Sequence, residues 1–238
     1  MKLATWNSCG RFDTNLPYLL DLGIDVAVLC EAQAPADWPA TADGRGVTGL
    51  SRRVWAESWK ELAVIACAPW TTSLHEAAGS APDWTLPVRV SGPTSFTLVA
   101  LWPVLFDGTP GYVRQIDGAV DWLEENCAGE PVVLAGDFNA PISSSQAHYD
   151  AVVTRLERLG LLDAYRVARG LEVCDPWTEA TYYHHRRRDR GFHIDHLMLP
   201  AAWTEGVKVE VGDFDTWIAS GRSDHAPVIA EIPDHSLR

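Results

Sequence analysis

The chain has 238 residues, 47% hydrophobic and 21% charged, an ordinary globular composition with ample length to bury a core. Nineteen basic against thirty-two acidic side chains give a net charge of −13. That balance argues against coating nucleic acid through a broad basic surface, and leaves room for an enzyme that meets phosphate through bound metal.

No internal repeat, low-complexity tract or long Gly/Ser linker divides the chain, so one domain over 1–238 is expected. Five cysteines, Cys9, Cys30, Cys67, Cys127 and Cys174, are scattered without a CxxC pair, and the odd count points to reduced thiols in the cytoplasm, most of them small core residues. The strand-like "KLATWN" shows no charged-then-apolar lead, so no signal peptide is expected, and the longest apolar run, "FTLVALWPVLF", is too short to span a bilayer. A cytoplasmic monomer is expected.

Residues 2–7 read as a short strand, followed by a helix near 13–22 that Gly23 ends. "DVAVLCE" at 25–31 is a fully buried strand by its unbroken β-branched and small apolar content. Residues 35–50, rich in Pro, Gly, Asp and Ala, suggest a surface loop, and "RRVWAESW", "ELAVIACA", "TSLHEA", "PVRVSG" and "FTLVALW" suggest the strands of a meander. At 111–127, Val113, Ile116, Val120 and Leu123 recur at helical spacing, so this helix should lay an apolar stripe on a sheet. A strand at 132–136 and a helix at about 147–159 follow. Residues 170–192 look like a long loop, and "HIDHLML", "GVKVEV" and "APVIAEI" complete a pattern of roughly nine to eleven strands with three or four helices.

Polar residues recur where these apolar strands end: Asn7, Glu31, Asp137, Asn139, Asp195, Asp224 and His225. Each alone is an ordinary turn former or cap, but the set together suits hydrolysis of a phosphate ester. Carboxylates such as Glu31, Asp137 and Asp224, helped by an amide oxygen, are hard ligands for Mg²⁺ or Mn²⁺. His225 beside Asp224 supplies a donor for transition-state charge, and Asp195 could hold its ring.

"TWN" at 5–7, "CE" at 30–31, "GDFNAP" at 136–141, "HIDHLML" at 193–199 and "SDHAPV" at 223–228 stand in the order and rough spacing of the endonuclease/exonuclease/phosphatase superfamily, which the chain resembles over nearly its whole length. The resemblance implies a DNase I-like α/β fold, a four-layer sandwich of two packed mixed sheets with helices outside and the site at one end. It implies metal-side roles for Glu31, Asn7 and Asp224, with Glu31 the direct ligand. Asp137 would orient or deprotonate the attacking water and Asn139 would hold the phosphate. Asp195 would pair with His225, which would contact the scissile phosphate.

Members of that family commonly carry a histidine or tyrosine at the end of the strand written here "FTLVALWPV", where this chain has Trp102. Trp102 is either a core aromatic or a surface that stacks on substrate. Glu61 stands where some relatives place that histidine's partner. "TYYHHRRRDRGFH" at 181–193 joins Tyr182 and Tyr183 to Arg186, Arg187, Arg188 and Arg190, a candidate phosphate-contacting and stacking loop, and Arg114 could face it. His75, His148 and His235 have no evident partners in the sequence. The expected function is a metal-dependent nuclease acting on nucleic acid. A phosphoesterase for a small phosphate ester or lipid head group is the alternative, and an inactive binding protein of the same fold a third.

Overall fold

The computed structural model describes residues 1–33, 46–55, 58–141 and 146–237. In chain order these form β1 (Lys2–Asn7), α1 (Phe12–Asp21), β2 (Val26–Ala32), β3 (Val47–Arg53), β4 (Glu61–Cys67), β5 (Thr71–Leu74), β6 (Thr85–Ser91) and β7 (Ser95–Leu101). Then come α2 (Tyr112–Asn126), β8 (Val132–Asp137), α3 (Gln146–Arg158), β9 (Leu161–Asp163) and α4 (Ala164–Arg169). The chain closes with β10 (Tyr182–Tyr183), β11 (Gly191–Phe192), β12 (Asp195–Pro200), β13 (Lys208–Val211) and β14 (Val228–Glu231).

One six-stranded sheet runs β13-β14-β1-β2-β4-β3 and the other β5-β6-β7-β8-β12-β9. Among the described strands only β1 with β2, and β7 with β8, are parallel, each pair joined through a helix, so both sheets are mixed. The side-chain period of two explains how they stack. In β2, Val26, Val28 and Cys30 face the core between the sheets while Ala27 and Leu29 face the layer containing Leu16 and Leu19 of α1. In β7, Leu98 and Ala100 face inward while Val99 and Leu101 meet Ile116, Val120 and Leu123 of α2. Three apolar layers therefore separate four layers of structure, the expected DNase I-like α/β sandwich.

Several boundaries differ from the sequence reading. Residues 47–50 are strand rather than loop, and residues 35–45 of that expected loop fall outside the described residues. "RRVWAESW" leaves the sheet after Arg53 because Val54 turns into the core, and two of its residues lie outside the described ones. Leu161–Asp163 and Ala164–Arg169 were too short to register as periodic patterns. Asp163 caps α4 by accepting from the Tyr165 and Arg166 amides, and its other oxygen takes the ring of buried His196 at 2.9 Å. The expected loop 170–192 contains the β10-β11 hairpin. Among the cysteines only Cys30 and Cys127 are buried. No helix among the described residues is long and apolar enough to cross a membrane.

Gly136 explains how "GDFN" leaves the sheet. Its φ is +152°, and a Cβ placed there would lie 1.8 Å from the Leu101 carbonyl oxygen. Only glycine lets β8 press this closely on the end of β7, which fixes where Asp137 emerges.

Candidate active site

The sheet ends converge on a cleft of about 690 Å³ lined by Asn7, Glu31, Asp137, Asn139, Asp224 and His225, among others. Asn7 is the last residue of β1. Glu31 sits at a bulge in β2, where the register with β4 shifts between Leu29 and Ala32 and φ is +52°, so its side chain leaves the alternation of the strand. Asp137 ends β8 directly opposite Asp195, which starts β12. Asn139 adopts a left-handed φ of +51°, which asparagine tolerates better than most residues.

Hydrogen bonds fix each group. His225 Nδ1 donates to Asp195 Oδ2 at 2.8 Å, and its Nε2 lies 3.9 Å from Asp137 Oδ2. Asn7 Nδ2 donates to Asp137 Oδ2 and the Asn139 amide to Asp137 Oδ1, both at 3.0 Å. Asn139 Nδ2 is anchored on the Pro103 carbonyl. Behind them, Trp6 is wholly buried against Trp217 and donates its indole N–H to the His225 carbonyl at 2.9 Å. Ser223 Oγ donates to the Asn7 carbonyl and accepts the His225 amide, tying β1 to the histidine loop. Thr181 Oγ1 accepts the amides of Ile194 and Asp195.

Burial is the largest influence on Asp137, and with the neighbouring Asp195 it outweighs His225, Asn7 and the Asn139 amide, pushing the carboxyl up to about 7. Burial alone would depress His225, but Asp195 and Asp137 prevail and hold it up at about 10. The pair can thus present an ionisable base near neutral pH beside an imidazolium.

Three cleft oxygens suit a hard divalent cation: the carboxylates of Glu31 and Asp224 and the amide oxygen of Asn7. Among the described residues Asn7 Oδ1 accepts only the Cys9 amide, at 3.0 Å, which leaves it a lone pair. Lys60 Nζ contacts Glu31 Oε2, putting a positive charge beside that carboxylate. Cys9 is half-buried near Asp224 and Glu31, and burial followed by those carboxylates raises its thiol, so it stays protonated. Lys60 and Cys9 carried no signal in the sequence. The donor set therefore fits Mg²⁺ or Mn²⁺ better than a thiolate-bound metal. Asp137, Asp195 and His225 also bring one ligand atom each within 4.8 Å of one another, but the His225–Asp195 hydrogen bond already uses that pair. A separate trio, His75, Cys127 and Glu130, lies near the start of β8. There His75 Nδ1 accepts the Ala77 amide, which puts the ring proton on Nε2 and removes the lone pair a metal would need.

The "TYYHHRRRDRGFH" segment divides. Tyr182, His184, Asp189, Arg190 and Phe192 line the cleft. Tyr182 lies 4.7 Å ring to ring from His225 and pairs with it in an antiparallel bridge, while the Tyr183 amide donates to the Asp224 carbonyl, so the hairpin is stitched to the histidine loop. Tyr183 itself turns away onto Phe214. Arg188 pairs with Asp215 at 2.6 Å and lies over Phe214, and Arg187 pairs with Asp189 at 2.8 Å. Arg186, at a φ of +56°, lies near Gly221 and does not line the cleft. Trp102 is 3% exposed and packs on Trp55 in the inter-sheet core, which takes its face away from any substrate. Arg114 lines a separate hollow between α2 and α3 with His148 and Arg155. Glu61 pairs with Arg53. Of the expected substrate-contact residues, Tyr182 and Arg190 line the cleft, whereas Trp102, Arg114, Tyr183, Arg186, Arg187 and Arg188 do not; Tyr112, His184 and Phe192 join them there.

The profile of the Endonuclease/Exonuclease/phosphatase family matches residues 4–225, and the chain belongs to that family. Among solved structures, it is similar to the 3′ phosphatase NExo from Neisseria bound to a product DNA hairpin, at 20% identity and a TM-score of 0.72, over 98% of this chain and 99% of that one. An AP endonuclease from Archaeoglobus fulgidus superposes with a TM-score of 0.74 at 16% identity, over 98% and 99% of the two chains. Truncated TDP2 from Caenorhabditis elegans gives 0.68 at 18% identity, over 97% and 96%. No curated protein sequence matches. Members of the family are phosphoester hydrolases, and the chain shares their DNase I-like fold.

Proposed function

We propose that the protein is a divalent-metal-dependent phosphodiesterase that hydrolyses nucleic acid, acting as a monomer in the cytoplasm. The observation that carries this reading is Asp137, held on both oxygens by Asn7 and the Asn139 amide, facing the Asp195-oriented His225 across one cleft. Asp137 accepts the proton of an attacking water, and rigid placement at the strand end limits the reorganisation this requires. His225, charged and aimed by Asp195, donates through Nε2 to an oxygen of the scissile phosphate. Glu31, Asp224 and the Asn7 amide would hold Mg²⁺ or Mn²⁺, which when bound neutralises phosphoryl oxygen charge.

For a chain of net charge −13, Arg190, whose side chain has no ion-pair partner among the described residues, and the aromatic faces of Tyr182 and Phe192 beside the cleft support a nucleic acid strand as substrate. NExo and the AP endonuclease, similar in fold, are a DNA-bound 3′ phosphatase and an endonuclease by description. The five free cysteines support a reducing compartment. The test is a panel of duplex DNA, single-stranded DNA, RNA, abasic DNA and phosphoinositides, run with Mg²⁺, with Mn²⁺ and with EDTA, for the wild type and Asp137→Asn. Metal-dependent cleavage of a nucleic acid, lost in the variant, supports the reading. Turnover confined to phosphoinositides would replace it with the small-ester alternative.

A further inference from the structure

The β7 end lacks a polar side chain for the cleft, because Trp102 is buried and its indole ring lies against Trp55. A phenol reaches the cleft from the next element instead. Tyr112 is the first residue of α2, is half-buried, and lines the cleft together with Asp137, Asn139 and His225. The other cleft phenol, Tyr182, spends its hydroxyl on His184 Nδ1 at 2.9 Å, whereas the Tyr112 hydroxyl has no hydrogen-bond partner among the described residues.

The fold invests in holding this helix start. Gln115, one turn further on and wholly buried, accepts the Val104 amide through Oε1 and donates through Nε2 to the carbonyls of Val104 and Pro110. Its own carbonyl accepts the Trp84 indole N–H at 2.8 Å. The β7–α2 loop is thereby closed on the first turn of α2, and the same loop accepts Asn139 Nδ2 at Pro103. One polar clamp thus relates Tyr112 to the residue that orients Asp137.

We propose that Tyr112 donates its hydroxyl hydrogen bond to a non-bridging oxygen of the scissile phosphate, supplying from α2 the donor that the end of β7 does not. This rests on the phosphodiesterase reading above. No bond is made or broken by the phenol, which keeps its proton throughout. Burial, with Asp137 adding to it, raises Tyr112 above the ordinary phenol range, so it remains a donor at neutral pH. Gln115 is a positioning residue in this scheme.

Tyr112→Phe removes one oxygen and nothing else. In Mg²⁺ with the nucleic acid that the wild type cleaves best, kcat should fall about 10²-fold, the typical effect of deleting one transition-state donor. KM should stay within about twofold, because the bond strengthens as charge develops. Arg114→Ala, on the same helix but in the separate hollow, should keep wild-type kcat. Gln115→Leu should lower kcat less than Tyr112→Phe, and the double variant should be no slower than Tyr112→Phe alone, a non-additivity that a merely structural role would not produce. Tyr112→Phe with wild-type kcat, or with only KM raised, overturns the proposal whether or not Gln115→Leu folds. A wild type that hydrolyses no phosphate ester would instead overturn the function on which it rests.

Discussion

Asp195 and His225 are joined by a 2.8 Å hydrogen bond between a carboxylate and Nδ1, both side chains buried, and this turns Nε2 toward Asp137. The two come from different sheets, since Asp195 starts β12 and His225 precedes β14. The geometry therefore depends on how the sheets stack as well as on either strand. Removing the carboxylate frees the ring and its charge together. Asp195→Asn should lower kcat by about 10²–10⁴-fold, the range for a mispositioned acid or base. It should also move the alkaline limb of the pH–rate profile to lower pH, because His225 loses the neighbour that does most to raise it. An unchanged alkaline limb would show that the limb belongs to another group.

The wild-type profile follows from the two perturbed groups. Activity requires Asp137 ionised and His225 protonated, and in the metal-free protein these groups stand at about 7 and about 10, so the profile should have an acid limb no higher than about 7 and fall as pH passes about 10. A bound cation near Glu31 favours the ionised carboxylate, so increasing Mg²⁺ should pull the acid limb downward. Steady-state kcat/KM from pH 5 to 10.5 at several Mg²⁺ concentrations measures both limbs as properties of the coupled pair.

Asp137 should cost stability where it is charged. Its carboxyl is raised in the fold, so ionisation is opposed above about pH 7, and the opposition disappears below the unfolded value near 4, where both states are protonated. Asp137→Asn should therefore abolish activity while raising the free energy of urea unfolding in EDTA at pH 8, by about a few kcal/mol at most, with little difference at pH 4. A variant less stable than wild type at pH 8 would contradict the burial argument.

Lys60 and a divalent cation compete for the Glu31 carboxylate. Lys60→Met should lower the Mg²⁺ concentration for half-maximal activity severalfold, and Glu31→Gln should raise it by at least tenfold. Thermal denaturation of the wild type with and without Mg²⁺ gives an independent readout, since a ligand at a hundredfold its dissociation constant stabilises by about 2.7 kcal/mol. Chelation should return the midpoint to the metal-free value.

Gly136→Ala tests the strand that carries Asp137. Its Cβ would meet the Leu101 carbonyl at 1.8 Å, in backbone that cannot shift without moving β7. Overpacking of this kind costs about 1–3 kcal/mol, and the positive φ adds strain. Urea unfolding should show the loss, with kcat reduced as Asp137 moves.

The strand ends were legible because buried strands announce themselves as unbroken apolar runs, and a polar residue at the close of such a run has few places to go but the sheet rim. That logic reached Asn7, Glu31, Asp137 and His225, all of which meet in one cleft. It failed where a contact depends on a turn or a helix start. Nothing in "GYVRQ" says that Tyr112 faces the cleft while Arg114, two residues on, faces α3. Trp102 follows a strand whose alternation admits either face, and its packing against Trp55 in the core settles it. The two-residue strands of the 182–192 hairpin are too short to leave a period, so its arginines read as one basic loop although Arg188 is tied to Asp215 and Arg190 lines the cleft.

The central claim is that one cleft hydrolyses a nucleic acid phosphodiester with Asp137, His225 and a divalent cation. Its most direct measurement is single-turnover cleavage of an end-labelled oligonucleotide by the wild type, Asp137→Asn and His225→Ala, in Mg²⁺ and in EDTA. The account predicts cleavage by the wild type in Mg²⁺, none in EDTA, and rates at least about 10³-fold lower for both variants. Cleavage that persists in EDTA, or variants as fast as the wild type, would contradict it.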